Sequence, residues 1–315
     1  MKKYRVSGRI PFGGFILLLL ATIIGSLVVG GLVFAVSHLI YLIILFPLLM
    51  GVLGGAILVL AVKSGKVRSP IIAAIFGLIL GVGIVGVNRF AEYYIDFRNE
   101  ITNTIRESEG QNVSQEEIDT FIDESLKEET GSDGFIGYVK YSASLGTTIT
   151  RSSGSSEMEL DEKATWIYWG IELLIVMVIC AGMALGAARQ PFNEDAGEWY
   201  PGEQYVGSVD WKSRKEFYKL MKADDIRGAF QMITRDGIKG NRVDVVVQQT
   251  PSAPQSDVVL TVKETRVNRR NQNSGVKMRG VLPAQEFTNL NRIVTGTPNS
   301  PSSTVQFSGA GSSLE

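Results

Sequence analysis

The sequence predicts an α-helical integral membrane protein: a four-helix transmembrane bundle with a small α+β extracytoplasmic segment and a small α+β cytoplasmic C-terminal module. The chain is almost continuously apolar from Pro11 to Val87, broken only by short polar stretches. A second apolar run covers residues 165–188, and charge is segregated between the segments that flank these runs. Averages hide this pattern, because the 315 residues carry a formal net charge of only −1 and are 45% hydrophobic.

Residues 1–10 form a basic leader with Lys2, Lys3, Arg5 and Arg9. The first span, residues 12–36, is long enough to cross a hydrocarbon core of about 30 Å with some tilt. A cleaved signal peptide is the rival reading, because Ala35-Val36-Ser37 loosely resembles a cleavage site. Signal cores run only about 7–15 residues, so an uncleaved helix is expected. Ser37-His38 turns tightly into the second span, residues 39–62, where Pro47 is expected to kink the helix. A basic break, Lys63 to Arg68, precedes the third span, residues 70–88, which Pro70 opens.

Small residues recur four apart: Ala21/Gly25, Ser26/Gly30, Gly51/Gly55, Gly77/Gly81 and Gly182/Gly186. That spacing lets helices approach closely in lipid, either within one bundle or between copies. Gly81-Val-Gly83-Ile-Val-Gly86 matches the dinucleotide-binding pattern. That pattern works only as a strand-to-helix turn, whereas here it lies within an apolar helix.

Between residues 90 and 164 acidic residues outnumber basic ones by more than two to one, whereas the leader and the Lys63–Arg68 break carry only basic charge. The positive-inside rule therefore places the leader in the cytoplasm and residues 90–164 outside a plasma (inner) membrane. Phe90 to Arg98 should continue the third helix. Ser114-Gln-Glu-Glu117 is a capping box for a helix to about Glu129, with Ile118, Phe121, Ile122 and Leu126 on one face. Phe135 to Tyr141 and Thr147 to Thr150 read as a strand or hairpin. No Asp-x-Asp-x-Asp-Gly loop accompanies the acidic residues, so a solvated acidic surface is expected rather than a Ca²⁺ site.

The fourth span, residues 165–188, opens on an aromatic belt of Trp166, Tyr168 and Trp169. Glu172 lies one turn deeper and is the acidic residue inside a span. A carboxylate at that depth needs a partner. Arg89, Asn88 and His38 at neighbouring helix ends complete a candidate intramembrane polar cluster, in a structural or a cation-handling role.

Residues 189–294 follow in the cytoplasm. Two short helices (213–222 and 224–234), strands at 242–249, 258–265 and 276–282, a polar loop at 268–274 and a helix at 283–294 make an α+β module. Residues 295–315, rich in Ser, Thr, Gly and Pro, should be disordered. Arg266, Arg269, Arg270, Lys277 and Arg279 form a candidate basic surface patch, either a solvated loop or a contact for anionic lipid. Nucleic-acid binding is not expected, because no aromatics interleave with these residues.

Tyr4-Arg-Val-Ser-Gly-Arg-Ile-Pro11, Gly134-Phe-Ile-Gly-Tyr138, and Pro191-Phe192 with Trp199-Tyr200 resemble an uncharacterised bacterial family of multi-pass membrane proteins with a cytoplasmic tail. The resemblance imports no activity. It implies Cys-x-x-Cys pairs in the tail, but the matching positions, Asn193/Ala196 and Thr250/Ala253, hold no thiol, which implies a metal-free hairpin.

With one cysteine (Cys180) and one histidine (His38), neither an intramolecular disulfide nor a Cys/His metal cage can form. No nucleophile elbow or P-loop is present, so no catalytic residue, cofactor or metal is expected. The expected partners are the lipid bilayer and another protein or a second copy of the chain. The function expected is that of a membrane-anchored interaction protein. A channel or transporter subunit using Glu172 is the alternative.

Overall fold

The computed structural model describes residues 1–38, 45–109, 113–150, 157–268 and 271–296. Two compact units cluster separately, one of residues 6–190 and one that joins residues 1–5 to the chain from Pro191 onward.

The first element is a two-residue strand, β1 (Lys2–Lys3), which belongs to the second unit. The first unit then opens with α1 (Phe12–Ser37), α2 (Leu45–Ser64) and α3 (Pro70–Ala91). The described part of the second span starts at Leu45, so Pro47 sits in its first turn, where a missing N–H costs no hydrogen bond. The start expected at residue 39 lies outside the described residues. The third helix runs on past the expected boundary. A π-helical segment, Glu92–Phe97, leads into α4 (Arg98–Glu109).

Next comes α5 (Gln115–Thr130), with the capping box formed at Ser114 and Glu117 and with Gly131 as its left-handed cap. Ile118, Ile122 and Leu126 face inward, but Phe121 is 55% exposed and lies off that face. The strand expected at Phe135–Tyr141 is instead a helix, α6 (Gly134–Ser144). Its aromatic residues Phe135, Tyr138 and Tyr141 recur every three residues, which is helical spacing, and they pack on Tyr93 and Phe97. Packing overrides the β preference of aromatic side chains. Strand β2 (Thr147–Thr150) forms as expected and pairs with β3 (Glu157–Leu160), which sequence reading missed. The unit closes with α7 (Glu162–Ala188), capped by the Asp161 carboxylate, which accepts from the Ala164 N–H at 2.8 Å.

Four helices in this unit are long and apolar enough to cross a membrane, taking α3 with its extension as one. Their packing inverts that of a water-soluble bundle. Large side chains such as Leu19, Ile24, Leu27, Ile79 and Leu174 point outward, while Gly25, Ser26, Gly30, Gly51, Gly55, Gly77 and Gly81 sit at contacts between helices. A Cβ at Gly77 would lie 2.5 Å from the Ala181 Cα, and one at Gly51 2.8 Å from the Ile179 Cβ. Such contacts supply the dispersion and close backbone approach that hold helices together without a hydrophobic drive. Gly182 and Gly186 depart from the expectation: both face open space. Gly81, Gly83 and Gly86 all lie within α3, so they form no phosphate-binding turn.

In the second unit β4 (Phe192–Asn193) pairs with β5 (Glu198–Trp199). A sheet follows, built from β6 (Gln204–Asp210), β7 (Arg242–Gln248), β8 (Val258–Val267) and β9 (Gln272–Leu282), antiparallel throughout, with β1 added at the β9 edge. Helices α8 (Arg214–Lys222), α9 (Ile226–Gln231) and α10 (Ala284–Thr295) cover one face. There Phe217, Phe230 and Phe287 meet Val243, Val245, Leu260 and Val262. The residues 268–274 expected to form a loop mostly extend the β8–β9 ribbon, since Gln272 pairs with Val267. The tail expected to be disordered lies outside the described residues from 297 on.

Asn193 knits the start of this unit. Its side-chain amide donates to Thr250 Oγ1 (3.0 Å) and Ser256 Oγ (2.7 Å), and its oxygen accepts from the N–H groups of Asp195 and Ala196, both at 3.1 Å. Asn193 is 3% exposed. Replacing it with alanine leaves several buried polar groups without partners. A loss of about 1–3 kcal/mol is expected, read as a lower denaturant midpoint for the sheet unit.

Candidate functional site

The predicted polar cluster assembles at the end of the bundle that carries residues 92–160. The last turns of α3 bring Asn88 and Arg89 there. Glu172 comes from the second turn of the apolar stretch of α7, and His38 follows the last residue of α1. The continuous helix beyond α3 adds two members that sequence reading omitted, Glu92 and Asp96. A helical reading of 88–98 places Glu92 four residues after Asn88 and three after Arg89, on one face, and this was the available signal.

Arg89 stands at the centre. Its guanidinium donates to Glu92 at 2.8 Å, lies 3.7 Å from the Glu172 carboxylate, and covers the Trp169 ring at 4.4 Å. The Asn88 amide donates to the other oxygen of Glu92 at 2.7 Å. Glu172 is 7% exposed, and Tyr168 one turn back also hydrogen-bonds it. Asn88 is 8% exposed, and its Oδ1 is buried with no hydrogen-bond partner.

His38 Nδ1 bonds the Phe34 carbonyl at 2.8 Å, and Nε2 meets Asp96 at 3.1 Å. The Phe34 carbonyl, then the Asp96 carboxylate, with Glu92 adding a smaller effect, raise the imidazole pKa above its ordinary value near 6.5. A raised folded-state pKa adds stability that is complete below about 6.5 and is lost as pH rises through the folded value. The thermal midpoint should therefore fall from pH 6 to pH 8, and Asp96→Asn should flatten that dependence.

These residues enclose a cavity of about 350 Å³. One wall is polar, made by His38, Asn88, Arg89, Glu92, Asp96 and Glu172. The other is apolar, with Val33, Phe46, Met50 and Val85. Deeper in the bundle Leu58, Leu80, Val176 and Cys180 are fully buried. Cys180 donates to the Gly51 carbonyl at 3.4 Å. Among the described residues no group of three His, Cys, Asp or Glu side chains is placed to hold a metal ion.

The basic patch is partly neutralised. Arg266 and Lys277 both flank Glu264, at 3.8 and 3.4 Å, and Arg279 donates to Thr261 Oγ1 at 3.2 Å. Arg266 also lies 5.5 Å from the Trp211 ring. Arg269 and Arg270 lie outside the described residues. No family model, curated protein or solved structure matches the chain.

Proposed function

We propose that the chain is a multi-pass protein of the plasma membrane whose bundle is an anchor for two interaction modules, residues 90–164 outside and the sheet unit in the cytoplasm. One observation carries this reading: below the cavity the bundle interior is filled by glycine-level contacts between helices and by fully buried Leu, Val and Cys side chains. A pathway through one copy of such a bundle has no room, which leaves function to the parts at its two ends. The pairing of β1 with β9 supports the fourfold crossing, because strands of one sheet lie on one side of a membrane and an even number of spans must separate them. The basic leader and basic Lys63–Arg68 break support the cytoplasm as that side.

The partner is another protein or a second copy of the chain, and Phe121 and Ile136, both more than half exposed on the outer helices, are available to it. Photo-crosslinking residues introduced at these positions in intact cells should give discrete adducts. A chain that yields no adduct and runs as a lone monomer in mild detergent would refute this reading. The cavity beside Glu172 favours a second reading, a channel or transporter subunit working as an oligomer. Ion flux in liposomes that vanishes with Glu172→Gln would establish that reading instead.

A further inference from the structure

We propose that the cavity at the Asn88 end of the bundle binds a primary ammonium group carried on a short apolar body. The polar wall has three carboxylates, Glu92, Asp96 and Glu172, against the single permanent cation Arg89. His38 offsets this charge only when protonated. Arg89 is already engaged by Glu92 and the Trp169 ring, and its 3.7 Å approach to Glu172 is too long for a hydrogen bond. The wall therefore keeps an excess of acceptors and of negative charge.

The unpartnered Asn88 Oδ1 makes this specific. A buried acceptor without a donor costs about 1–3 kcal/mol, so its persistence points to a donor supplied from outside the chain. The Asn88 amide nitrogen is committed to Glu92, which fixes the oxygen as the free atom. The ligand must thus bring both positive charge and N–H donors. A divalent metal does not meet the requirement, because no three carboxylate or imidazole groups among the described residues converge on one point.

Size and lining narrow the class further. The cavity of about 350 Å³ is near the lower end of small-molecule sites, and far larger than the roughly 30 Å³ share of one water. Val33, Phe46, Met50 and Val85 offer a surface for a few carbons opposite the acceptors. His38 and Asp96 at the rim have side chains about half exposed, which leaves a way in. Two sources supply this chemistry, a free alkylamine and the ethanolamine headgroup of a phospholipid. The assignment does not depend on the partner-binding reading, since a chain with no protein partner can still bind an amine.

The test uses the full chain in phosphatidylcholine nanodiscs at constant ionic strength, with thermal unfolding followed by tryptophan fluorescence. n-Butylammonium should raise the midpoint saturably. Tetramethylammonium, which has the charge without N–H donors, and butanol, which has the body without the charge, should not. Asn88→Leu and the rim variant Asp96→Asn should each weaken the n-butylammonium response about tenfold or more. Asp96 is half exposed, so its variant remains informative if the Asn88 variant fails to fold. Nanodiscs with phosphatidylethanolamine separate the sources. A raised midpoint there with no further response to n-butylammonium identifies the headgroup, and an unchanged response identifies the free amine. If n-butylammonium and tetramethylammonium act alike, or neither variant changes the response, the cavity holds only water and the assignment fails.

Discussion

Removing the Arg89 charge, as in Arg89→Leu, is expected to destabilise the bundle by about 3 kcal/mol or more, measured by unfolding in mild detergent. The loss comes less from the ion pairs themselves than from what remains. Glu172 is 7% exposed, and without Arg89 it becomes a buried carboxylate with no cation beside it. Glu92 loses its closest donor at the same time, and Trp169 loses the guanidinium over its ring. The converse change is expected to cost much less. With Glu172→Gln, Arg89 keeps Glu92 at 2.8 Å and its ring contact, so no unpaired charge is created. Combining Arg89→Leu with Glu172→Leu should recover much of the loss, because replacing both members of a buried pair with apolar groups is often neutral. If Glu172→Gln proves as damaging as Arg89→Leu, the carboxylate has a role beyond balancing Arg89.

The second large effect is steric. Gly77→Ala should cost about 1–3 kcal/mol, and a valine there should prevent the bundle from assembling. The new Cβ would fall 2.5 Å from the Ala181 Cα and 2.6 Å from its nitrogen, and backbone cannot turn aside as a side-chain tip can. Helices α3 and α7 would have to part, and their separation would also pull Arg89 from Glu172. Gly182→Ala is the matched control. It adds the same methyl group to the α7 side of the bundle, meets nothing within 4 Å, and should be neutral. A Gly77→Ala protein as stable as the Gly182→Ala protein would mean that the two helices do not touch there.

What could be read from the sequence alone divides along physical lines. Helices α1, α3 and α7 were legible because twenty or more apolar residues have few other solutions. The capping box at Ser114 was legible because its chemistry is local. The polar cluster was half legible. Glu172, Arg89, Asn88 and His38 do meet, but Glu92 and Asp96 were counted as acidic surface rather than as the next turns of α3. Helix α6 was misread because Phe, Tyr, Ile and Val favour strands on average, whereas here Tyr93 and Phe97 decide their conformation. Strands β1 and β6 were missed for another reason. Two lysines carry no strand signal, and Gln204–Asp210 is broken by Gly207, where the register shifts. Their strand state exists only through partners far along the chain.

That dependence has a bearing on the order of events as the protein is made. Lys2 and Lys3 emerge from the ribosome first, yet they are hydrogen-bonded to Val281 and Gly280. Every apolar helix must be synthesised before the β9 edge exists for β1 to join. Until then Lys2 to Arg5 are an unpaired tether, and the edge of β9 stays open to any other strand. Closing that edge is among the last steps of folding and spans almost the whole chain, and it therefore marks a finished molecule rather than helping to start one.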